Sequence, residues 1–198
     1  MPVRKRLSDQ NIESTKRMLK KREYIFLTLT LILLSSFLIK QKTEVDEYIA
    51  KAAFIFNFTK FVEWEKTETN ASPTFVIGVL GNSPIYPHLI DLATNKTINN
   101  KKIEVINCST RMPSACKCQI IFVSETVSST DFKDFVSELS TKNVLLISEK
   151  KGFLDQGSAI NFLIIENHIK FEINIQSLNR SHLKASSQLL KLASTIQN

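Results

Sequence analysis

The sequence predicts an α/β domain, a three-layer Rossmann-like sandwich with a mixed, mainly parallel sheet, a C-terminal β-hairpin and a closing helix. Strand-like and helix-like segments alternate through the middle of the chain. The strand-like runs FVIGVL, QIIFV and NVLLI are apolar but for the Gln119 and Asn143 that open the last two, as befits the buried centre of a parallel sheet. Two further β-rich runs then follow one another across a short polar link, ahead of a last amphipathic stretch.

Each element has its own signal. Residues Glu44 to Val62 carry apolar side chains at helical spacing with an unusually broad apolar face, which predicts a helix. Thr74 to Leu80 is a β-branched run closed by Gly81-Asn82-Ser83-Pro84, a turn in which Ser83 serves as N-cap and Pro84 as first residue of a helix reaching about Thr94. Lys102 to Asn107 alternates and reads as a half-exposed strand, and Gln119 to Ser124 reads as a buried one. Ser129-Thr130-Asp131 opens a helix with Phe132, Phe135, Val136 and Leu139 on one face. Asn143 to Ser148 is another buried strand, followed by the loop Gly152 to Gly157. Ala159 to Ile165 and Ile169 to Ile175 are expected to pair across Glu166-Asn167-His168 as a hairpin at the sheet edge. Ser181 to Ile196 reads as the closing helix.

Charge sorts the chain into two parts. Its 198 residues carry a net +7, but residues 1–40 hold nine Lys/Arg against three Asp/Glu while the rest hold seventeen against sixteen. Nucleic-acid binding needs a basic face on the folded domain, so this distribution argues against it. Tyr24 to Ile39 is sixteen residues without a charge, preceded by Lys20-Lys21-Arg22 and followed by Lys40-Gln41-Lys42. The run is apolar on all sides, and its length and basic lead fit a signal peptide or a short signal anchor in the membrane. Residues 1–40 are accordingly read as a basic lead plus export signal, beginning at Met1 or Met18, and residues 44–198 as the exported α/β domain.

In an oxidising compartment the three cysteines, Cys108, Cys116 and Cys118, imply one bridge and one spare thiol. A Cys116–Cys118 ring would be strained, which favours Cys108 with either of the others and leaves Cys118 equally open as a buried free thiol. No histidine or second cysteine pair stands nearby to complete a metal set, and no metal or cofactor is expected. The phosphate-loop, dinucleotide, nucleophile-elbow and zinc-protease motifs are all missing, and His88, His168 and His182 stand singly, so no catalytic residue is assigned. Glu172, inside an apolar run, must face water or find a partner, for which Lys184 or Arg180 is in reach. Phe54, Phe56, Phe58, Phe61 and Trp64 load the first helix with aromatics on more than one side, with Asn57 and Lys60 among them. One face must pack on the sheet; a second would be a docking surface, and core packing alone is the competing account.

The motifs KAAFIFNFTKFVEW, FVIGVLGNSP, CQIIFVS, the GF-x3-G turn of Gly152, Phe153 and Gly157, FEIN and SSQLL resemble, in order and spacing over residues 48–194, the YfiR family of exported bacterial proteins. The resemblance implies a periplasmic binding protein, not an enzyme, that represses a membrane-bound diguanylate cyclase through its periplasmic portion, lowering cyclic-di-GMP and biofilm formation. It further implies self-association as a homodimer and disulfide-linked redox sensitivity. The docking surface read from the first helix itself is Phe54, Asn57, Phe58, Lys60, Phe61 and Trp64; the structural or ligand loops are the Gly81 turn after the first strand, read from its own pattern, and the Gly152, Phe153 and Gly157 turn that the resemblance shares. Glu172 and Lys184 stand where the family places an acid–base pair. Many members carry a cysteine where this chain has Gly78, which would leave Cys118 without its familiar partner and Cys108 and Cys116 as local substitutes. The alternative is a small-molecule sensor subunit serving another membrane signalling protein, with its pocket at the C-terminal ends of the strands.

Overall fold

The computed structural model describes residues 47–64, 72–108, 117–139 and 143–198. The export signal from Tyr24 to Ile39, the alternative start at Met18 and Cys116 therefore lie outside the described residues.

The frame is an eight-stranded mixed sheet. Helix α1 covers residues 47–58. It is followed by β1 (Val62–Trp64), β2 (Thr74–Leu80), α2 (Ile85–Asn95), β3 (Thr97–Ile98), β4 (Lys101–Cys108), β5 (Ile120–Val123), α3 (Ser129–Leu139), β6 (Leu145–Ser148), β7 (Ile160–Ile165), β8 (His168–Asn174), α4 (Ile175–Arg180), β9 (Leu183–Ala185), α5 (Ser187–Leu192) and β10 (Thr195–Gln197). The strand order is β10-β8-β7-β6-β5-β2-β4-β3. Strands β4, β2, β5, β6 and β7 run parallel, as do β8 and β10, while β3–β4 and β7–β8 are antiparallel.

Period-two alternation assigns the central strands to two cores. Phe75, Ile77 and Val79 of β2, Ile120 and Phe122 of β5, and Leu145 and Ile147 of β6 face one side, where α1 contributes Tyr48, Ala52, Ile55 and Phe58 and α2 contributes Ile85 and Leu89. Leu80, Ile121, Val123 and Leu146 face the other side, covered by Phe132, Phe135 and Leu139 of α3 and by Phe153. Strands buried on both faces have no polar edge to show in sequence, which is why these runs read as continuously apolar. The chain leaves β2 for β4 on one side and returns to β5 on the other, so α2 and α3 lie on opposite faces. The predicted three layers are the observed ones.

Local chemistry sets the boundaries. The α2 helix begins at Ile85 with Pro84 at the cap position, one residue later than expected, and Ser83 Oγ still accepts from the Ile85 amide at 3.3 Å. At α3 the cap is Ser128, whose Oγ accepts from the Asp131 amide and donates to the Asp131 carboxylate at 2.7 Å. The β7–β8 hairpin turns on Glu166 and Asn167, both at positive φ, the backbone a two-residue primed turn requires. Asn99 and Asn100 repeat that geometry between β3 and β4, a small edge hairpin the sequence reading did not anticipate. The β7–β8 hairpin is not the sheet edge either, since β10 adds to β8 beyond it.

The predicted closing helix over Ser181 to Ile196 is corrected to a strand, a short helix and a second strand. Asn174 Oδ1 caps α4 by accepting from the Ser177 amide, and His182 takes a positive φ that ends it. Leu183, Lys184 and Ala185 then pair antiparallel with Trp64, Glu63 and Val62, and the Ser186 amide donates to the Phe61 carbonyl at 2.8 Å. The same pairing ends α1 at residue 58 instead of Val62. Backbone groups that helical continuation would have used internally find tertiary partners instead, and leucine spacing alone could not report this.

Candidate functional site

Helix α1 lies against the first core with a charged group inside its buried face. Lys51, 4% exposed, shares that face with Tyr48, Ala52, Ile55 and Phe58. Its ammonium pairs with Glu149 at 2.7 Å, just beyond the C-terminal end of β6, and with Glu47 one turn earlier on α1 at 2.5 Å. The Glu149 side chain is only 3% exposed, and it also accepts from the Glu125 amide at 3.3 Å and from Tyr48 Oη at 3.5 Å. Burial raises the Glu149 carboxyl above its ordinary value, the Lys51 charge and hydrogen bonds pull it back, and the Glu125 charge adds to the rise. This clamp fastens α1 to the ends of β5 and β6. The sequence reading missed it, although a lysine at a core position of α1 and a glutamate directly after the apolar NVLLIS were both visible.

The aromatics of the expected partner surface separate by role. Phe58 is 2% exposed and packs on Phe162 (ring centroids 5.9 Å apart) and Phe171 (5.1 Å), so it is core and not surface. Phe54, half-buried, stands edge-on to the same two rings. Phe61 is half-buried against the same core. Trp64 is T-shaped to Phe75, and its indole N–H donates to the Gln119 carbonyl at 3.4 Å. Asn57 and Lys60 alone of the six are exposed. The solvent side of α1 instead presents Ile49, 49% exposed, with Ala53, Phe56, Asn57 and Lys60, positions that helical spacing places in one stripe. Two ammonium groups stand over the half-buried Phe56 ring, Lys60 Nζ at 5.2 Å and Lys96 Nζ at 5.0 Å from its centroid.

At the C-terminal ends of β2 and β5, where open α/β sheets place ligands, the crevice is filled by its own loops. Ser124 Oγ and Thr126 Oγ1 donate to the Asn82 carbonyl at 2.7 and 3.2 Å, and the Asn82 amide donates to Thr126 Oγ1 at 3.1 Å. Gly81, at φ 85°, has no room for a side chain: a Cβ would come within 2.8 Å of Thr126 and Val127. The Gly152–Gly157 loop is likewise packed. Phe153 is fully buried and stacks on Phe132 at 4.0 Å, and a Cβ on Gly157 would meet Val136 at 2.6 Å. A cavity of about 30 Å³ lies beside it, lined by Val136, Leu139, Leu146, Gly157 and Arg180, room on the scale of a water molecule and not of a metabolite.

Glu172 is half-buried and accepts from Asn161 Nδ2 at 3.0 Å, the end of a polar string in which Ser148 Oγ donates to Asn161 Oδ1 at 2.6 Å. The expected ion pairs are not made. Lys184 stands opposite Glu63 in the β1–β9 ladder, remote in register from β8, and Arg180 donates to Ser177 Oγ at 2.9 Å. Cys118 is a buried free thiol pushed up to about 12, chiefly by burial and then by the Glu104 charge, whereas Cys108 is disulfide-bonded. The two sulfurs are 3.9 Å apart. Gly78 makes this arrangement fit, because a Cβ there would meet Cys108 Sγ at 2.4 Å and Cys118 Sγ at 2.9 Å. The sulfurs occupy the volume that a side chain at position 78 would take.

Comparison with known proteins adds three findings. A family model described as YfiR/HmsC-like matches residues 48–194. No curated protein matches the chain. Among solved structures, one titled as the ABC domain in complex with L-Trp from Streptococcus pneumonia is similar at 12% identity and a TM-score of 0.45, covering 62% of this chain. This chain spans 55% of that one.

Proposed function

The chain belongs to the YfiR/HmsC-like family of periplasmic, non-catalytic regulators of diguanylate cyclase signalling, and from that premise we propose that it represses one such membrane-bound cyclase. It does so by binding the cyclase's periplasmic portion, lowering cyclic-di-GMP and with it biofilm formation. The observation that carries this reading is the family match across residues 48–194, nearly the whole α/β domain. Packing of α1 supports it. The Lys51–Glu149 clamp holds the helix on the sheet while Ile49 and Ala53 are exposed and Phe56 is half-exposed beside them, an arrangement that presents a preorganised surface. The working unit is a homodimer delivered by the export signal, which is either removed or kept as an inner-membrane anchor through Tyr24 to Ile39. A Cys108–Cys116 bridge staples the loop after β4 and leaves Cys118 as the spare thiol.

The test is intracellular cyclic-di-GMP in cells with the gene, without it, and complemented. Deletion is expected to raise the nucleotide severalfold and complementation to restore it. An unchanged level in the deletion would refute the repressor reading.

A further inference from the structure

The solvent stripe of α1 says what kind of partner it fits. It runs for two turns as Ile49, Ala53 and Phe56, apolar residues at spacings of four and three, and ends in Asn57 and Lys60. Phe56 is half-buried and packs in part on the first core, so the exposed apolar positions of the stripe are Ile49 and Ala53. At its end, Lys60 and Lys96 come from different segments, the turn after α1 and the residue after α2, yet converge on one phenyl ring. Their distances from the ring centroid place the two ammonium groups at most about 10 Å apart, on the order of one screening length in physiological salt. Neither has a carboxylate partner among the described residues, where Lys60 Nζ donates to Asn57 Oδ1 at 3.1 Å. Two exposed ammonium groups without a carboxylate, beside the exposed Ile49 and Ala53 and the outer edge of Phe56, are complemented by a carboxylate reaching both from the solvent side, carried by a segment that lays its own apolar side chains along α1.

We infer that α1 receives an acidic, amphipathic peptide segment of its partner, with apolar anchors on Ile49, Ala53 and Phe56 and a carboxylate reaching both Lys60 and Lys96. The inference rests on the proposed regulatory function and names the chemistry of that partner.

The experiment expresses the full-length Lys60→Glu/Lys96→Glu double variant in the deletion strain and measures cyclic-di-GMP. Both lysines are exposed, so the denaturation midpoint read by Trp64 fluorescence is expected to match the wild type. The variant is expected to leave cyclic-di-GMP at the deletion level, and a screen for restored repression is expected to return Asp or Glu to Lys changes in the cyclase's periplasmic portion. If deletion itself changes nothing, the regulatory reading falls. If deletion acts but the folded double variant represses like wild type, the regulatory reading stands and the acidic-segment inference is overturned. Restoration only by changes at uncharged positions of the cyclase would overturn it too. So would co-sedimentation of wild type, but not the variant, with phosphatidylglycerol vesicles, which would assign the lysines to lipid headgroups.

Discussion

Replacing Lys51 by methionine isolates the clamp beneath α1. The substitution keeps the length of the buried stem and removes the charge, leaving Glu149 nearly water-free with only the Glu125 amide and Tyr48 hydroxyl as donors. A carboxylate so placed takes up a proton instead of staying charged. From the ordinary value of 4.5, keeping that proton at pH 7 costs about 3.4 kcal/mol, and at pH 5 about 0.7 kcal/mol. Those figures are ceilings on the Glu149 part of the penalty, because burial already raises this carboxyl in the wild type. The expected loss for Lys51→Met is therefore about 2–3 kcal/mol at pH 7, shrinking to below about 1 kcal/mol at pH 5. The sign in the wild type runs the same way. A carboxyl raised on folding contributes most below its unfolded value, and that contribution is lost as pH rises through its folded value. The double variant Lys51→Met/Glu149→Leu removes both charges and is expected to recover most of the pH 7 loss. The assay is urea unfolding at both pH values followed by the single tryptophan, Trp64, one short turn beyond α1. A penalty that is equal at pH 5 and pH 7, or a double variant no more stable than the single one, would refute the account.

Two more substitutions and labellings test the division between core and surface. Phe58→Ala should destabilise the domain by about 3–5 kcal/mol, since it empties a site walled by Phe54, Phe162 and Phe171, whereas exposed Asn57→Ala should stay within about 0.5 kcal/mol, both read by denaturant midpoint. With a thiol value near 12, Cys118 should be thiolate at only about one part in ten thousand at pH 8. Iodoacetamide should then add no mass to the native protein over an hour and one alkyl group once urea unfolds it; rapid native labelling would mean the thiol is not buried as described.

The layered α/β architecture was written in local chemistry. Apolar runs such as FVIGVL and VLLI announce strands covered on both faces, and Phe132, Phe135 and Leu139 announce a helix with one apolar side, whatever the rest of the chain does. The primed turn at Glu166-Asn167 and the family motifs were equally local. What sequence could not supply was choice among partners. The last helix reads well by leucine spacing, yet its first residues bind the strand at Val62–Trp64, a competition settled over more than a hundred residues of separation. Glu172 had two plausible cations near it in sequence and chose the Asn161 amide, because β7 is its neighbour in the sheet. Which aromatics of α1 are core and which face solvent turned on where Phe162 and Phe171 stand beneath it. The Lys51–Glu149 clamp, ninety-eight residues apart along the chain, exists only once the sheet brings the end of β6 under α1, since charge pairing depends on distance in space and leaves no mark on sequence spacing.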